Sequence, residues 1–222
     1  MQASHLSDVA FASLGLHPKL LAGLERLGFT HCTPIQAACL PLALAGRDLA
    51  GQAQTGTGKT AAFLLATMHH LLTRPRRGPE GQPRAFMLAP TRELAVQIFK
   101  DAEAIGADTG LKLTVCYGGA GYDSQRQSIA AGVDILIGTP GRLIDYFRQR
   151  VFDLRSAEVL IIDEADRMFD MGFIKDLRYI LRQLPSYDRR QSMLFSATLS
   201  YDVMELAYVF MNDAVRVSVT PE

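Results

Sequence analysis

The sequence of 222 residues is short of several features that would each define a class of protein. It has no tryptophan, three cysteines, and as many acidic as basic residues, 23 of each. No apolar run approaches the roughly 18 residues that a membrane-spanning helix needs. The first 16 residues lack the basic start and apolar centre of a secretion signal. The sequence therefore predicts a cytoplasmic protein with no membrane partner.

The cysteines and the five histidines form no pattern of metal ligands or disulfides. Cys32, Cys39 and Cys116 are not spaced as C-x-x-C, which excludes a zinc site and a disulfide framework. We expect them to be reduced core residues. The balanced charge argues against a strongly basic nucleic-acid binder, so any contact with RNA has to be local.

What the sequence does have is 48% apolar residues, arranged in short runs that alternate with helix-length stretches. Strands are predicted at 48–52, 84–88, 112–117, 134–137, 159–162, 191–195 and 215–219. Helices are predicted at 92–107, 142–149, 174–184 and 202–211. This alternation predicts an α/β fold, a doubly wound and mainly parallel sheet with helices on both faces. Ligands of such sheets bind at the carboxyl ends of the strands.

Residues 53–60 (Ala-Gln-Thr-Gly-Thr-Gly-Lys-Thr) have the pattern of a phosphate-binding loop after the first predicted strand. Small residues let backbone N–H groups curl around a polyphosphate, and the lysine reaches the outer phosphates. The last hydroxyl can ligate Mg²⁺. A Gly/Thr-rich turn that merely resembles this loop is the alternative, which the strand before it and the apolar stretch 61–68 after it disfavour. The predicted nucleotide site comprises Ala53, Gln54, Thr55, Gly56, Thr57, Gly58, Lys59 and Thr60.

An acidic cluster at 163–166 (Asp-Glu-Ala-Asp) follows the apolar run 160–162. An aspartate at the end of a buried strand can hold Mg²⁺, while the next carboxylate faces the attacking water. We therefore assign Asp163 to the metal, with Thr60, and Glu164 to the positioning and activation of water. For an isolated Asp-Glu pair the alternative is a solvated turn. Both motifs fall at carboxyl ends of predicted strands, so they are expected to meet around ATP and Mg²⁺.

One further segment, 74–84, is rich in proline, glycine and arginine. This composition predicts an exposed loop. Its four arginines suit contact with RNA, but a solvated surface loop is the favoured interpretation.

Seven motifs occur in the order in which one family carries them, and in this respect the sequence resembles the DEAD-box RNA helicases over nearly its whole length. Within that family it is most similar to the bacterial RhlB branch. The motifs are 28–36 (Gly-Phe-Thr-His-Cys-Thr-Pro-Ile-Gln), the phosphate loop, 90–95, 118–119, 139–142, 163–166 and 196–198. The resemblance implies a RecA-like P-loop NTPase domain at 47–222, with a Q-motif region at 1–46 packed on its core.

The Q motif implies recognition of adenine. A glutamine amide both donates and accepts, so Gln36 can bind the N6/N7 edge of adenine, which guanine would not satisfy. The resemblance places Phe29 against the adenine face and Phe11 beside the motif, and the alternative for both is an ordinary core aromatic. Cys32 stands where many members of the family have proline.

The resemblance also implies a platform for single-stranded or duplex RNA, held through its backbone and without a base code. Its residues are Pro90, Thr91, Arg92, Gly118, Gly119, Thr139, Pro140, Gly141 and Arg142. As alternatives, Thr139 and Pro140 cap a helix, and Arg92 pairs with Glu93 or another neighbour. Ser196 and Thr198 are expected to bond the carboxylates of the acidic cluster, including Asp166, and so to couple hydrolysis to strand separation.

The family pairs this domain with a second RecA-like domain that supplies arginine fingers, and the sequence has no room for it before Thr220, Pro221 and Glu222, where a linker would begin. We expect the ATP- and RNA-binding N-terminal half of an ATP-dependent RNA helicase, nearly inactive in isolation. RhlB-type helicases are associated with RNA-degrading assemblies, which the resemblance implies as a partner. The alternatives are a nucleotide-dependent RNA-binding module without turnover and a related DNA helicase.

Overall fold

The computed structural model describes residues 6–219, and its centre is a seven-stranded sheet in which every pairing is parallel. The strands are β1 (Leu49–Gln52), β2 (Ala85–Leu88), β3 (Leu113–Cys116), β4 (Ile135–Gly138), β5 (Val159–Ile162), β6 (Gln191–Ser196) and β7 (Val215–Ser218). Their order across the sheet is β3-β4-β2-β5-β6-β1-β7. All seven predicted strands are confirmed.

The described part of the chain has nine α-helices, of which α1 and α2 precede β1 and the other seven connect the strands. They are α1 (Pro18–Arg26), α2 (Pro34–Leu44), α3 (Lys59–Thr73), α4 (Arg92–Ile105), α5 (Tyr122–Ala130), α6 (Pro140–Arg148), α7 (Ala165–Asp170), α8 (Ile174–Leu181) and α9 (Tyr201–Phe210). The four predicted helices correspond to α4, α6, α8 and α9, with ends that differ by at most three residues. None of the described helices combines the length and the apolar character needed to cross a membrane.

Two apolar cores cover the two faces of the sheet. Consecutive residues of a strand point to opposite faces, so Met87 packs into one core while Phe86 and Leu88 pack into the other. Helices α1 to α4 close the first core, and α5 to α9 close the second. Strands β2, β4 and β5 are buried at every residue and are continuous apolar runs, which is why the sequence predicted them.

Helices α1 and α2, from the Q-motif region, belong to the same core as α3 and α4. Cys32, Cys39 and Cys116 are buried free thiols, as expected of core residues. The residues Thr220, Pro221 and Glu222, where a linker is predicted to begin, lie outside the described residues.

The carboxyl edge of the sheet is divided between two groups of motifs. The phosphate loop, the acidic cluster and the 196–198 motif follow β1, β5 and β6, which are neighbours. The motifs predicted for RNA follow β2, β3 and β4, which are also neighbours. The strand order therefore places the nucleotide motifs and the RNA motifs next to each other on one edge of the sheet.

Candidate functional site

The phosphate loop joins β1 to the first turn of α3. Gly56 (φ 84°) and Gly58 (φ 90°) adopt the left-handed backbone conformation that favours glycine. The Thr57 hydroxyl donates a hydrogen bond to the carbonyl oxygen of Gln54 across 2.7 Å, which closes the loop on itself. A glycine-rich loop before a helix of 15 residues presents free backbone N–H groups to an anion.

Lys59 and Asp163 form a buried ion pair at the centre of the site. Lys59 Nζ lies 2.8 Å from Asp163 Oδ1, and both side chains are almost fully buried. The same oxygen accepts the backbone N–H of Glu164 at 2.9 Å. Burial raises the pKa of the Asp163 carboxyl, and the charge of Lys59 acts in the opposite direction.

The second carboxylate oxygen of Asp163 fits a cation ligand. Within residues 6–219, Asp163 Oδ2 is buried and has no hydrogen-bond partner. Buried polar atoms in proteins are nearly always satisfied, so this oxygen points to a group that binds here. Carboxylate and hydroxyl oxygens are the ligands that Mg²⁺ takes, and Thr60 stands in the first turn of α3 on the phosphate loop.

Glu164 connects the acidic cluster to the phosphate loop. Its backbone is left-handed (φ 50°, ψ 52°), which is unusual for a residue other than glycine and is typical of functional sites. One carboxylate oxygen accepts a hydrogen bond from Arg167 at 2.9 Å. The other lies 3.5 Å from the Thr55 hydroxyl. The carboxylate is thereby held over the loop.

Ser196 ends β6, between the phosphate loop and the acidic cluster. Its hydroxyl accepts the backbone N–H of Asp166 at 3.1 Å, and its carbonyl oxygen accepts the N–H of Ala53 at 3.0 Å. Accepting this N–H leaves the O–H of Ser196 free to donate, so its bond to a carboxylate of the cluster stays a prediction. Thr198 is exposed, two residues beyond the end of β6.

Gln36 binds the phosphate loop from the side of α2. Its Oε1 accepts the backbone N–H of Thr33, and its Nε2 donates to the carbonyl oxygen of Gly58, both at 2.9 Å. A Cβ atom at position 58 would lie 2.6 Å from Gln36 Nε2. One amide hydrogen and one lone pair of Gln36 remain for a base, so adenine recognition stays a prediction.

The two predicted aromatics have different surroundings. Phe29 is 50% exposed, so its ring is open to stacking with a base. Phe11 is 3% exposed and belongs to the first core. This burial fits the core alternative for Phe11, and its role in nucleotide binding stays a prediction.

The predicted RNA platform mixes exposed and buried residues. Gly118, Gly119, Gly141 and Arg92 are exposed, whereas both prolines, Pro90 and Pro140, are buried. The Thr91 hydroxyl accepts the N–H of Leu94 and caps α4. Thr139 occupies the cap position of α6 without a side-chain bond, and Pro140 is the first residue of that helix. Thr139 and Pro140 therefore occupy the capping positions that the alternative predicted, and contact of the platform with RNA stays a prediction.

Aromatic rings hold the two arginines of the platform. Arg92 lies over the Tyr117 ring at 4.7 Å, so a tyrosine is the neighbour that it contacts. Arg142 lies 4.9 Å from the Tyr122 ring and donates to Gln125 Oε1 at 3.2 Å. Gln125 also accepts the N–H of Tyr117 at 3.1 Å. The sequence did not predict the contacts of Gln125, the tyrosines and Arg167. Its one signal for them was the pair of tyrosines beside the 118–119 glycines.

Comparison with known proteins agrees with this geometry. The sequence model of the DEAD/DEAH box helicase family matches residues 33–206. The chain belongs to this family. Among relatives of this helicase domain, the "ATP-dependent RNA helicase RhlB" of Aeromonas salmonicida (strain A449) is 59% identical over 224 residues. The protein of the same name from Serratia proteamaculans (strain 568) is 57% identical over 224 residues.

Both alignments include all of the helicase domain described here and 52% of each relative. The chain therefore spans about half the length of the curated relatives it matches. A solved structure, a hypothetical ATP-dependent RNA helicase from Sulfolobus tokodaii, has a TM-score of 0.82 and 33% identity. The similarity covers 92% of this chain and 57% of that one, and it confirms the RecA-like helicase fold.

Proposed function

We propose that the chain is the ATP- and RNA-binding N-terminal half of an ATP-dependent RNA helicase of the RhlB type. The observation that carries this proposal is the buried Lys59–Asp163 pair beside the phosphate loop, with one Asp163 oxygen free of partners in the described residues. The pair supplies a cation for the phosphates of a nucleotide and a carboxylate oxygen for a metal.

Each polar group of the site has a role in the proposed reaction. Lys59 binds the outer phosphates of ATP, and Thr60 and Asp163 hold Mg²⁺. When bound, Mg²⁺ neutralises charge on the phosphates. Glu164 positions the attacking water and accepts its proton. Gln36 and Phe29 select adenine through its hydrogen-bonding edge and its face.

The RNA platform lies along the other half of the same edge. Arg92 and Arg142 bind phosphates, and the exposed glycines let the strand approach the backbone. Ser196 contacts main-chain groups of both nucleotide motifs, so a shift of either loop is transmitted through it. We propose that a second RecA-like domain closes over ATP and RNA, and that the protein acts in the cytoplasm within an RNA-degrading assembly.

The proposal is tested by measuring ATP turnover of the protein extended through its second domain. We expect stimulation by single-stranded RNA and little by DNA of the same sequence. Stimulation by DNA alone would favour the DNA helicase alternative. ATP binding without turnover under any of these conditions would favour a nucleotide-dependent binding module.

A further inference from the structure

A cluster of arginines lies at the amino edge of the sheet, opposite the nucleotide and RNA motifs. A cavity of about 280 Å³ opens there. Its lining includes Arg74, Arg77, Arg189 and Arg190, together with His70. The proposed function uses none of these residues.

The strand order explains why these residues meet. Helix α3 starts at the carboxyl edge, runs back across the sheet and ends at Thr73. Arg74 therefore lies at the amino edge. Arg189 and Arg190 directly precede β6, and Glu158 directly precedes the neighbouring β5. The Arg77 guanidinium donates to the Arg189 carbonyl oxygen across 3.0 Å, so the 74–84 loop is fastened to this edge.

The acidic residues of the cavity leave most of the positive charge unbalanced. Glu158 is buried and already bonded to Arg84 at 2.6 Å and to His70 at 3.2 Å. The Asp188 carboxylate accepts a hydrogen bond from Ser186.

The arginines divide into two kinds. Arg190 is buried and donates to Pro185, Ser192 and Phe210. Arg74, Arg77 and Arg189 are exposed, and none of them forms an ion pair within residues 6–219. Three guanidinium groups therefore face solvent around one cavity, in a chain whose formal net charge is zero.

We propose that this cavity binds phosphate groups in the backbone of a nucleic-acid strand, as a second site remote from the carboxyl edge. Guanidinium groups bind phosphate oxygens in a bidentate fashion and hold their charge at any physiological pH. The lining has no phenylalanine, tyrosine or tryptophan on which a base could stack. The site is therefore independent of base sequence.

An acidic peptide is the less suitable ligand. Clusters of arginines also recognise acidic and phosphorylated peptides, so an acidic peptide is the competing ligand for this cavity. A nucleic-acid strand presents a charge at every nucleotide, which suits arginines gathered around one opening.

The test uses a fluorescent single-stranded oligouridylate and the triple variant Arg74→Ala, Arg77→Ala, Arg189→Ala. Each lost phosphate contact reduces the slope of log affinity against log salt by about 0.7, so three contacts reduce it by about 2. We expect that reduction, roughly tenfold or greater loss of affinity at low salt, and unchanged affinity for ATP. The charge-matched control is Lys100→Ala, Arg182→Ala, Arg216→Ala, which removes three exposed cations elsewhere.

Wild-type affinity and salt slope in the first triple variant would overturn the proposal, as would equal losses in both triple variants. Polyglutamate that displaces the oligouridylate from the cavity more effectively than unlabelled RNA of equal charge would overturn it in favour of a peptide site. The same triple substitution combined with Arg142→Ala distinguishes the RNA affinity of the amino edge from that of the carboxyl edge. A further loss there supports two sites, and no further loss contradicts them. Thermal unfolding of each variant confirms that it is folded.

Discussion

Gln36 Nε2 donates to the carbonyl oxygen of Gly58 across 2.9 Å, and this bond joins the start of α2 to the phosphate loop. The same side chain accepts the N–H of Thr33. Position 58 has to be glycine for two independent reasons, its left-handed backbone and the close approach of Gln36. The residue proposed to recognise the base therefore also shapes the loop that binds the phosphates.

Replacing Gln36→Ala should lower stability and nucleotide selectivity together. Loss of the bonds to the Thr33 N–H and the Gly58 carbonyl oxygen costs about 0.5 to 1.5 kcal/mol each. Loss of the bidentate base contact costs roughly 1 to 3 kcal/mol of discrimination between ATP and GTP. Denaturant unfolding and titrations with both nucleotides measure the two effects. Gln97→Ala, at an exposed glutamine on α4, is the control, and equal affinities of the unmutated chain for ATP and GTP would contradict the selectivity.

Replacing Lys59→Ala should remove most nucleotide binding and also destabilise the fold in a pH-dependent manner. The variant leaves the buried Asp163 carboxylate without its partner, a change that typically costs about 3 to 5 kcal/mol. Burial raises the pKa of Asp163 and Lys59 opposes that shift, so the variant, which lacks the opposing charge, holds a proton on folded Asp163 more tightly than the wild type does. The stability lost by the variant should therefore be small at acidic pH and grow as pH rises through that raised pKa.

Denaturant unfolding at about pH 5 and about pH 8 tests this direction. Adding Asp163→Asn to Lys59→Ala removes the buried charge, so the double variant should recover stability at the higher pH. A loss of stability in Lys59→Ala that is the same at both pH values would show that the carboxylate is not its cause.

Replacing Glu164→Gln in the protein extended through the proposed second domain should stop hydrolysis while ATP still binds. The amide keeps the shape of the side chain but cannot accept the proton of water, a role that contributes about 10² to 10⁴ in rate. Steady-state turnover and ATP titration separate the two steps, with Glu103→Gln, at an exposed position of α4, as the control. Unchanged turnover would show that Glu164 does not activate the water.

The isolated chain should hydrolyse ATP very slowly, with or without RNA. The arginine finger proposed for a second domain contributes about 10³ to 10⁵ in rate, equivalent to about 4 to 7 kcal/mol of barrier. The measurement is turnover by residues 1–222 with and without single-stranded RNA, followed by the same assay on the extended protein. Strong stimulation of the short chain would require a finger within it, and Arg142 and Arg92 would be the first residues to replace.

The sequence predicted the strands and the phosphate loop because each depends on a local pattern. The buried strands are apolar runs, and the loop is a run of glycines and threonines before a lysine. Helix α2 was missed because it is apolar on all sides, contains Pro41, and so has no amphipathic period. Helix α5 was missed for the opposite reason, since most of its residues are polar and exposed.

The contacts that complete the site depend on tertiary structure and could not be predicted from motifs. Nothing in the sequence near Arg92 indicates that Tyr117, on another loop, lies beneath it. Phe11 is assigned to the core only when the packing around it is known. The arginine cavity likewise requires the strand order, because Arg74 and Arg189 are more than a hundred residues apart in the chain.

The position of β1 in the sheet has a consequence for how the protein is made. Strand β1, which leads into the phosphate loop, pairs with β6 and β7, the last two strands of the described chain. A ribosome releases β1 early and its partners late, and such long-range pairings are slow to form. Strand β1 therefore has no strand to pair with until residues 191–218 have left the ribosome. Nucleotide-binding ability should appear in one late step of synthesis.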